Sequence, residues 1–543
     1  MKKLFNDDKL KKYYFVIPIL IIGITLLILR HNFLKILVDV LQLGPIKERN
    51  YESYNSLLQI TIFSIYFYYS FLIFRKKKYY RLTGRNLDYD KSKFKRPYGR
   101  LLEYFRYENC NPHLLNTDMF PKIHWRKASG IVMGKTKDGR LITIPGDKLE
   151  SNIDVNGPPG SSKTSGLAII NAMQFDGSVL AIDIKGDIFN YVSKNSDRTI
   201  IRFAPDLPDA LEVSAHFDPL NGINEMSQTD KKLYIENMAA IIIPDTGGTD
   251  GGYFTSSARK YFCTITHLLL AENPDVDFPT IVQRILNGNP FDWVYAAIDS
   301  GNREAASYIA SFEGNNEKNI SSVYDTLTSA VNPFNNEILD VLLNKEQSIS
   351  IKDLEEGKDI YLQIAQEHLD AYAPIFTLIV QSFSSAFSAR EDMTSGKKLR
   401  PILFILDEFP QLTFSYQLIN SNLSTLRSKK IVTILIHQNY SQLEHRYQTT
   451  GYRTILGNCN YQIILGSNDF ETSKAFSDKI GKKRVLQISN SDPSDKNKSG
   501  SRTVSEATEP VYPPEEISDL KTESIIYFAG KHVKCNKLNC YID

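Results

Sequence analysis

The sequence predicts an α/β fold with an all-helical insertion, preceded by two transmembrane helices. Three observations carry this. Short apolar runs recur at strand length: Ser178–Asp183, Thr199–Phe203, Lys358–Ile364, Ile402–Leu406, Ile431–Ile436 and Tyr461–Leu465. Runs such as Ile402–Leu406, apolar at every position, suit strands buried on both faces of a parallel sheet. Between the second and third of these runs the pattern turns helical, from about 225 to 340. Finally, Tyr13–Leu29 and Leu57–Phe74 are 17 and 18 residues long and carry no charge, close to the length that crosses a bilayer.

The two spans, about 13–30 and 56–75, form an expected membrane anchor over residues 1–80. Lys2, Lys3, Lys9, Lys11 and Lys12 precede the first span, and Arg75, Lys76, Lys77, Lys78, Arg81 and Arg85 follow the second. Cationic outer flanks place both ends in the cytoplasm, with a short external loop near 31–55. A cleaved signal peptide fits less well, because no small-x-small site follows the first span and a second span does. For the Tyr/Phe-rich second span, a buried helix is the other reading. The basic run from Arg75 to Arg100 reads first as lipid headgroup contact and a topology signal. Net charge is +2, so bulk charge argues neither for nor against nucleic acid. The five cysteines, Cys110, Cys263, Cys459, Cys535 and Cys540, show no zinc spacing, and free thiols are expected on the cytoplasmic side.

Residues 81–224 and 341–543 are expected to make the α/β domain and 225–340 the all-α insertion. Within the insertion, Lys231–Ile243 and Ser257–Ala271 show apolar faces at helical spacing, and Phe291–Ser311 continues without a strand-like run. Segment 488–508, rich in Ser, Asp, Lys and Asn, reads as a polar loop.

Chemistry concentrates at two strand ends. Directly after Ile153-Asp154-Val155-Asn156 comes Gly157-Pro158-Pro159-Gly160-Ser161-Ser162-Lys163-Thr164, followed by Ser165 and a helix-like segment. Phosphates need inward backbone N–H groups, a cation and a hydroxyl able to ligate magnesium. Gly157 and Gly160 free the backbone, Lys163 reaches the outer phosphates and Thr164 ligates the metal. The following helix aims its dipole at the same charge. Ser162 stands where this loop pattern usually has glycine. At the second strand end, Asp407 and Glu408 close the run Ile402–Leu406. Carboxylates at the C-terminal end of a parallel strand lie where ligands bind, so Asp407 is expected to hold magnesium and Glu408 to act as the base. Together these are two halves of an ATP–Mg2+ site.

In order, GPPGSSKT, AIDIKGD at 181–187, FDPLNG at 217–222, LDEFPQL at 406–412, IHQNYSQLEHRY at 436–447, ILGNCNYQIILGSNDFETSKAFSDKIGK at 455–482 and PPEEISDL at 513–520 resemble the type IV secretion coupling proteins, the TraG/TraD family of conjugative DNA transfer. The resemblance runs over most of 120–543. It implies a P-loop, RecA-like domain, a homo-hexameric ring anchored in the bacterial inner membrane, and a motor that links relaxase-bound single-stranded DNA, through relaxosome or adaptor proteins, to the secretion channel. It also implies roles for two further residues. Gln438 matches the family's motif glutamine beside the carboxylates, where an amide senses the γ-phosphate or the attacking water. Arg427 is a candidate to reach a neighbouring subunit's site, with a solvated basic end as its other reading. A coupling ATPase for protein effectors, a double-strand DNA pump of the chromosome-partitioning kind and a non-hydrolysing docking scaffold are the alternatives; Glu408 speaks against the last.

Overall fold

The computed structural model describes residues 114–543, apart from 116, 147–150, 245–250, 313–316, 346–348, 393–398, 413, 415 and 492–500. The expected spans, the basic run after them and Cys110 lie outside the described residues. Among the described residues, no helix is long and apolar enough to cross a membrane.

The strands are β1 (Ile131–Lys135), β2 (Leu141–Ile144), β3 (Ile153–Asn156), β4 (Ser178–Ile184), β5 (Ile200–Phe203), β6 (Asp359–Ile364), β7 (Ile402–Leu406), β8 (Ile431–His437), β9 (Tyr461–Ile464), β10 (Lys482–Ser491), β11 (Ser501–Pro510), β12 (Glu523–Phe528) and β13 (Lys531–Asn536). One 11-stranded sheet runs β2-β1-β13-β12-β9-β3-β8-β7-β4-β6-β5. From β9 to β5 every neighbouring pair is parallel. From β9 outward through β12, β13, β1 and β2 the pairing is antiparallel.

Alternation explains the apolar runs. In β7, Leu403 and Ile405 enter one core while Ile402, Phe404 and Leu406 enter the other. In β4, Val179 and Ala181 oppose Leu180, Ile182 and Ile184 in the same way. A strand with helices on both faces has no solvent side and therefore no polar alternation. On one face lie α1 (Ile169–Gln174), which continues a π-helical turn Thr164–Ala168, and α2 (Asp187–Asn195).

On the other face the connection from β5 to β6 is helical throughout its described elements: α3 (Gln228–Ile242), α4 (Gly251–Glu272), α5 (Phe278–Leu286), α6 (Pro290–Asp299), α7 (Arg303–Ile309), α8 (Glu317–Val331), α9 (Glu337–Leu342) and α10 (Ile351–Glu356). Local sequence starts these helices. The side chains of Ser227, Asp277, Asn289, Asn302 and Asn336 accept from backbone N–H groups of the first turn, and Pro occupies the first positions of α5 and α6. Tyr261 and Phe262 of α4 are fully buried and centre the helical packing. This packing merges with the sheet's core through α11 (Leu369–Ser388): Phe376 meets Phe203 of β5 with ring centroids 6.1 Å apart, and Tyr234 of α3 pairs with Ser382 at 3.0 Å. The same core takes in α12 (Tyr416–Thr425), α13 (Tyr440–Gly457) and α14 (Phe470–Ile480).

Within segment 488–508, the described residues 488–491 and 501–508 depart from the expected loop. β10 and β11 form a separate two-stranded antiparallel ribbon, in register from Lys482↔Pro510 to Ser491↔Ser501. Main-chain pairing needs no apolar side chain, so a polar ribbon reads as a loop. Lys483 and Glu509, directly opposite, are 2.9 Å apart. The described cysteines, Cys263, Cys459, Cys535 and Cys540, are free and buried.

Candidate nucleotide site

The loop 157–164 leaves the C-terminal end of β3 and runs into the helix that covers β3, so its position is set by one strand–turn–helix unit. Gly157 is packed so tightly that a Cβ there would lie 2.4 Å from Ser161 Oγ. Pro159 and Gly160 form the exposed tip, with Gly160 at φ +75°. Ser162 adopts φ 72°, the left-handed backbone that favours glycine. The loop therefore keeps a glycine-type conformation at its non-glycine position, at a cost of about 1–2 kcal/mol. Such strain persists where the surroundings over-determine it. Glu408, at φ 47°, is held in the same region.

Lys163 is buried, and its Nζ donates to the carbonyls of Gly157 at 2.6 Å and Pro158 at 3.1 Å. Burial lowers its pKa, and the carboxylates of Glu408 and Asp407 oppose that shift. Asp407 is buried at the end of β7. Burial, then the charge of Glu408, push it up to about 6, against the Glu408 backbone N–H, Lys163 and the Thr164 hydroxyl. Its Oδ1 accepts from Glu408 N at 3.0 Å. Gln438 follows β8, and its Nε2 donates to Glu408 Oε1 at 3.1 Å and Oε2 at 3.4 Å. Its own backbone N–H donates to Gln442 Oε1 at 3.2 Å, which fixes the amide's base to the start of α13.

The topology brings these together. β8 lies between the loop strand β3 and the carboxylate strand β7, and all three run parallel. Loop, carboxylates and Gln438 thus stand side by side at one sheet edge. Ser165 turns its carbonyl away from this edge and accepts from Cys540 N at 3.0 Å. Arg427 is not brought to the loop within its own chain. It is exposed in the turn Leu426–Lys429, immediately before β8. The seven residues of β8 separate it from Gln438, roughly 20 Å at the strand rise.

Two groups were not singled out for this site from the sequence. Asp183 is the penultimate residue of β4, next to β7, is fully buried, and accepts from Ile188 N at 3.1 Å and Phe189 N at 2.8 Å. Burial pushes it up to about 7, with Asp407 adding to the rise. Its signal was the same as that of Asp407, a carboxylate closing an apolar run. The second is a buried pair, Asp154 and His437, in which Nε2 lies 2.7 Å from Asp154 Oδ1. A charge between apolar residues in a central strand is its sequence trace.

The family described as type IV secretory system conjugative DNA transfer matches residues 115–543. The chain belongs to this family. It is similar to VirD4 of Rhizobium rhizogenes, 24% identical over 435 residues, covering 77% of this chain and 63% of that protein. It thus spans less than two thirds of that relative. Its fold is similar to that of the plasmid coupling protein TrwB in complex with a non-hydrolysable ATP analogue, with a TM-score of 0.58 at 16% identity, covering 79% of this chain and 93% of the other. TrwB in complex with ADP and Mg2+ gives a TM-score of 0.54 at 16% identity, over 73% and 87%. At such identity the likeness is one of fold.

Proposed function

We propose that this chain is an ATP-hydrolysing coupling protein that drives DNA transfer through a type IV secretion channel. The observation that carries the reading is the convergence of Lys163, Asp407, Glu408 and Gln438 at one edge of a parallel sheet.

The residues fit a nucleotide and its metal. The loop supplies a strained, glycine-type backbone and a buried ammonium whose present acceptors are loop carbonyls, which phosphate oxygens replace. Thr164 and Asp407 are hydrogen-bonding neighbours and would hold magnesium together with the phosphates. Among the described residues no group of three or more His, Cys, Asp or Glu could hold a metal. That agrees with magnesium, which takes one or two protein oxygens and completes its shell with phosphate and water. When bound, magnesium neutralises charge on the phosphate oxygens. Glu408 takes a proton from water, and Gln438, already donating to both its oxygens, orients that carboxylate and the water beside it. Lys163 balances charge that develops on the transferred group.

Arg427, exposed and far from its own loop, suits a neighbouring subunit's site in a homo-hexameric ring. Anchoring in the bacterial inner membrane rests on the two apolar spans. The proposed cargo is single-stranded, relaxase-bound DNA, delivered by relaxosome or adaptor proteins. The test uses the full chain in detergent and measures phosphate release against DNA concentration at low and moderate salt. Single strands are expected to stimulate turnover, and binding to weaken steeply with salt as counterions are released. Stimulation by an effector protein and by no form of DNA would make the cargo protein. Wild-type turnover in Glu408→Gln would remove the base from the scheme.

A further inference from the structure

We propose that Asp154 and His437 form a positioning pair that holds Gln438 against Glu408 and ties it to the phosphate loop. The proposal rests on the hydrolytic reading above and adds residues that touch no reacting group.

The pair lies directly beneath the site. Asn156 of β3 is in register with His437 of β8, and each is the last residue of its strand. The next residue after Asn156 is Gly157, the start of the loop. The next after His437 is Gln438. The His437 carbonyl accepts from Gly157 N at 3.2 Å, so one residue touches the loop through its backbone and positions Gln438 through its chain. The imidazole is fastened on both sides. Nε2 donates to Asp154 Oδ1 at 2.7 Å, while Nδ1 lies 3.1 Å from the Asn439 carbonyl and 3.3 Å from Asn156 Nδ2. Asn439 caps α13, accepting from Gln442 N at 2.8 Å, and Gln442 in turn accepts from Gln438 N. The imidazole therefore contacts the carbonyl of Asn439, the residue after Gln438, and the side chain of Asn156, the residue before the loop, while the His437 backbone carbonyl reaches the loop itself.

The arrangement is not what packing alone favours. Ile153 and Val155 send apolar side chains into one core, as do Val432, Ile434 and Ile436 of β8. On the opposite face of the same strands stand Asp154, Asn156 and His437, each 0–1% exposed. One polar atom there, Asn156 Oδ1, is buried with no hydrogen-bond partner, and Asp154 is also approached by the buried Tyr440 hydroxyl. A buried polar pair is often neutral or destabilising relative to apolar residues of similar volume. An unsatisfied buried polar atom costs more. A role in orienting the glutamine accounts for keeping such groups at this one register.

The test uses the full chain in detergent and steady-state ATP hydrolysis, with nucleotide affinity measured separately by a fluorescent ATP analogue. Asp154→Asn conserves volume and keeps an acceptor for Nε2 while removing the charge; His437→Gln removes the ring and with it both attachments. Each is expected to lower kcat on the order of ten- to hundred-fold, the scale for outer-shell partners, with analogue affinity within two-fold of wild type. Combined with Gln438→Ala, Asp154→Asn is expected to cost little more than Gln438→Ala alone, because both act through one amide. Wild-type kcat in Asp154→Asn, or losses that simply multiply in the double variant, would overturn the proposal. A fall in analogue affinity equal to the fall in kcat/KM would also overturn it, as a general distortion of the loop. If His437→Gln fails to fold, the Asp154→Asn cycle decides alone. Wild-type hydrolysis by Glu408→Gln would instead show that the hydrolytic reading itself has failed.

Discussion

The two edges of the parallel sheet bury acids in opposite ways. At the edge where the strands begin, Asp359 of β6 is closed by Arg198, whose Nη2 donates to Oδ1 at 2.8 Å. The guanidinium also donates to the carbonyls of Phe175 at 2.9 Å and Gly177 at 2.6 Å, and Val179 N donates to the same carboxylate. At the edge where the strands end, Asp183, Asp407 and Glu408 have neighbouring backbone N–H groups, one amide and one lysine whose Nζ is engaged elsewhere. The first edge is a finished clamp. The second carries acids with no arginine partner, and there burial pushes Asp407 up to about 6 and Asp183 up to about 7. Perturbed carboxyls gathered at one sheet edge mark the site; a perturbed carboxyl with its arginine in place marks the frame.

Substitutions at the two edges should therefore separate activity from stability. Lys163→Ala is expected to lower turnover by orders of magnitude, and Glu408→Gln to retain nucleotide binding while losing hydrolysis, both without a large change in Tm. Phosphate release and analogue binding check this. If either variant instead unfolds the protein while turning over normally per folded molecule, the contrast between the edges collapses.

Arg198→Ala should do the reverse. It leaves the fully buried Asp359 charge unpaired, a loss of about 3–5 kcal/mol, with kcat per folded molecule unchanged. Replacing both members with apolar residues of similar volume is expected to restore much of the stability. Chemical denaturation reads both variants.

The pH dependence sharpens the comparison further. A carboxyl whose pKa folding raises stays protonated in the fold at a pH where the unfolded chain has already ionised. The folded state then holds the extra proton, so stability is lost as pH rises from about 4, the unfolded value, to about 7 for Asp183. The slope from one such group is at most about 1.4 kcal/mol per pH unit. Asp183→Asn should flatten Tm against pH across that window.

The smallest expected effect lies on the helix behind the loop. A Cβ on Gly166 would fall 2.4 Å from the Leu538 carbonyl. Gly166→Ala must therefore shift the segment that pairs Cys540 N with Ser165 O, at about 1–3 kcal/mol. Thermal melting checks it, and an unchanged Tm would show that the segment yields freely.

Strand-by-strand reading worked where burial left an unbroken apolar signature. β3 and β7 have their expected limits, and β4, β5, β6, β8 and β9 differ from expectation by one residue at an end. It failed at the polar β10–β11 ribbon, and it left unassigned the short strands β1 and β2, whose hairpin joins the sheet only through the distant β13. The candidate residues Lys163, Asp407 and Glu408 stood out in the sequence because phosphate chemistry restricts residue type and spacing. Asp154 and His437 were not, because their partnership spans two strands whose adjacency no local pattern encodes.

By itself the sequence determined the strands, the helical stretch from about 225 to 340, the loop and the pair of carboxylates, since each depends on neighbouring residues and local backbone preference. Only the tertiary structure decided that β8 lies between β3 and β7, so that Gln438 donates to Glu408. It also decided that Asp183 joins the acids, that Arg427 sits at the far edge, and that Ser162 takes a glycine's conformation. These are outcomes of strand order and of packing a whole sheet between two cores, and pairings between distant segments leave no periodicity in the chain to read.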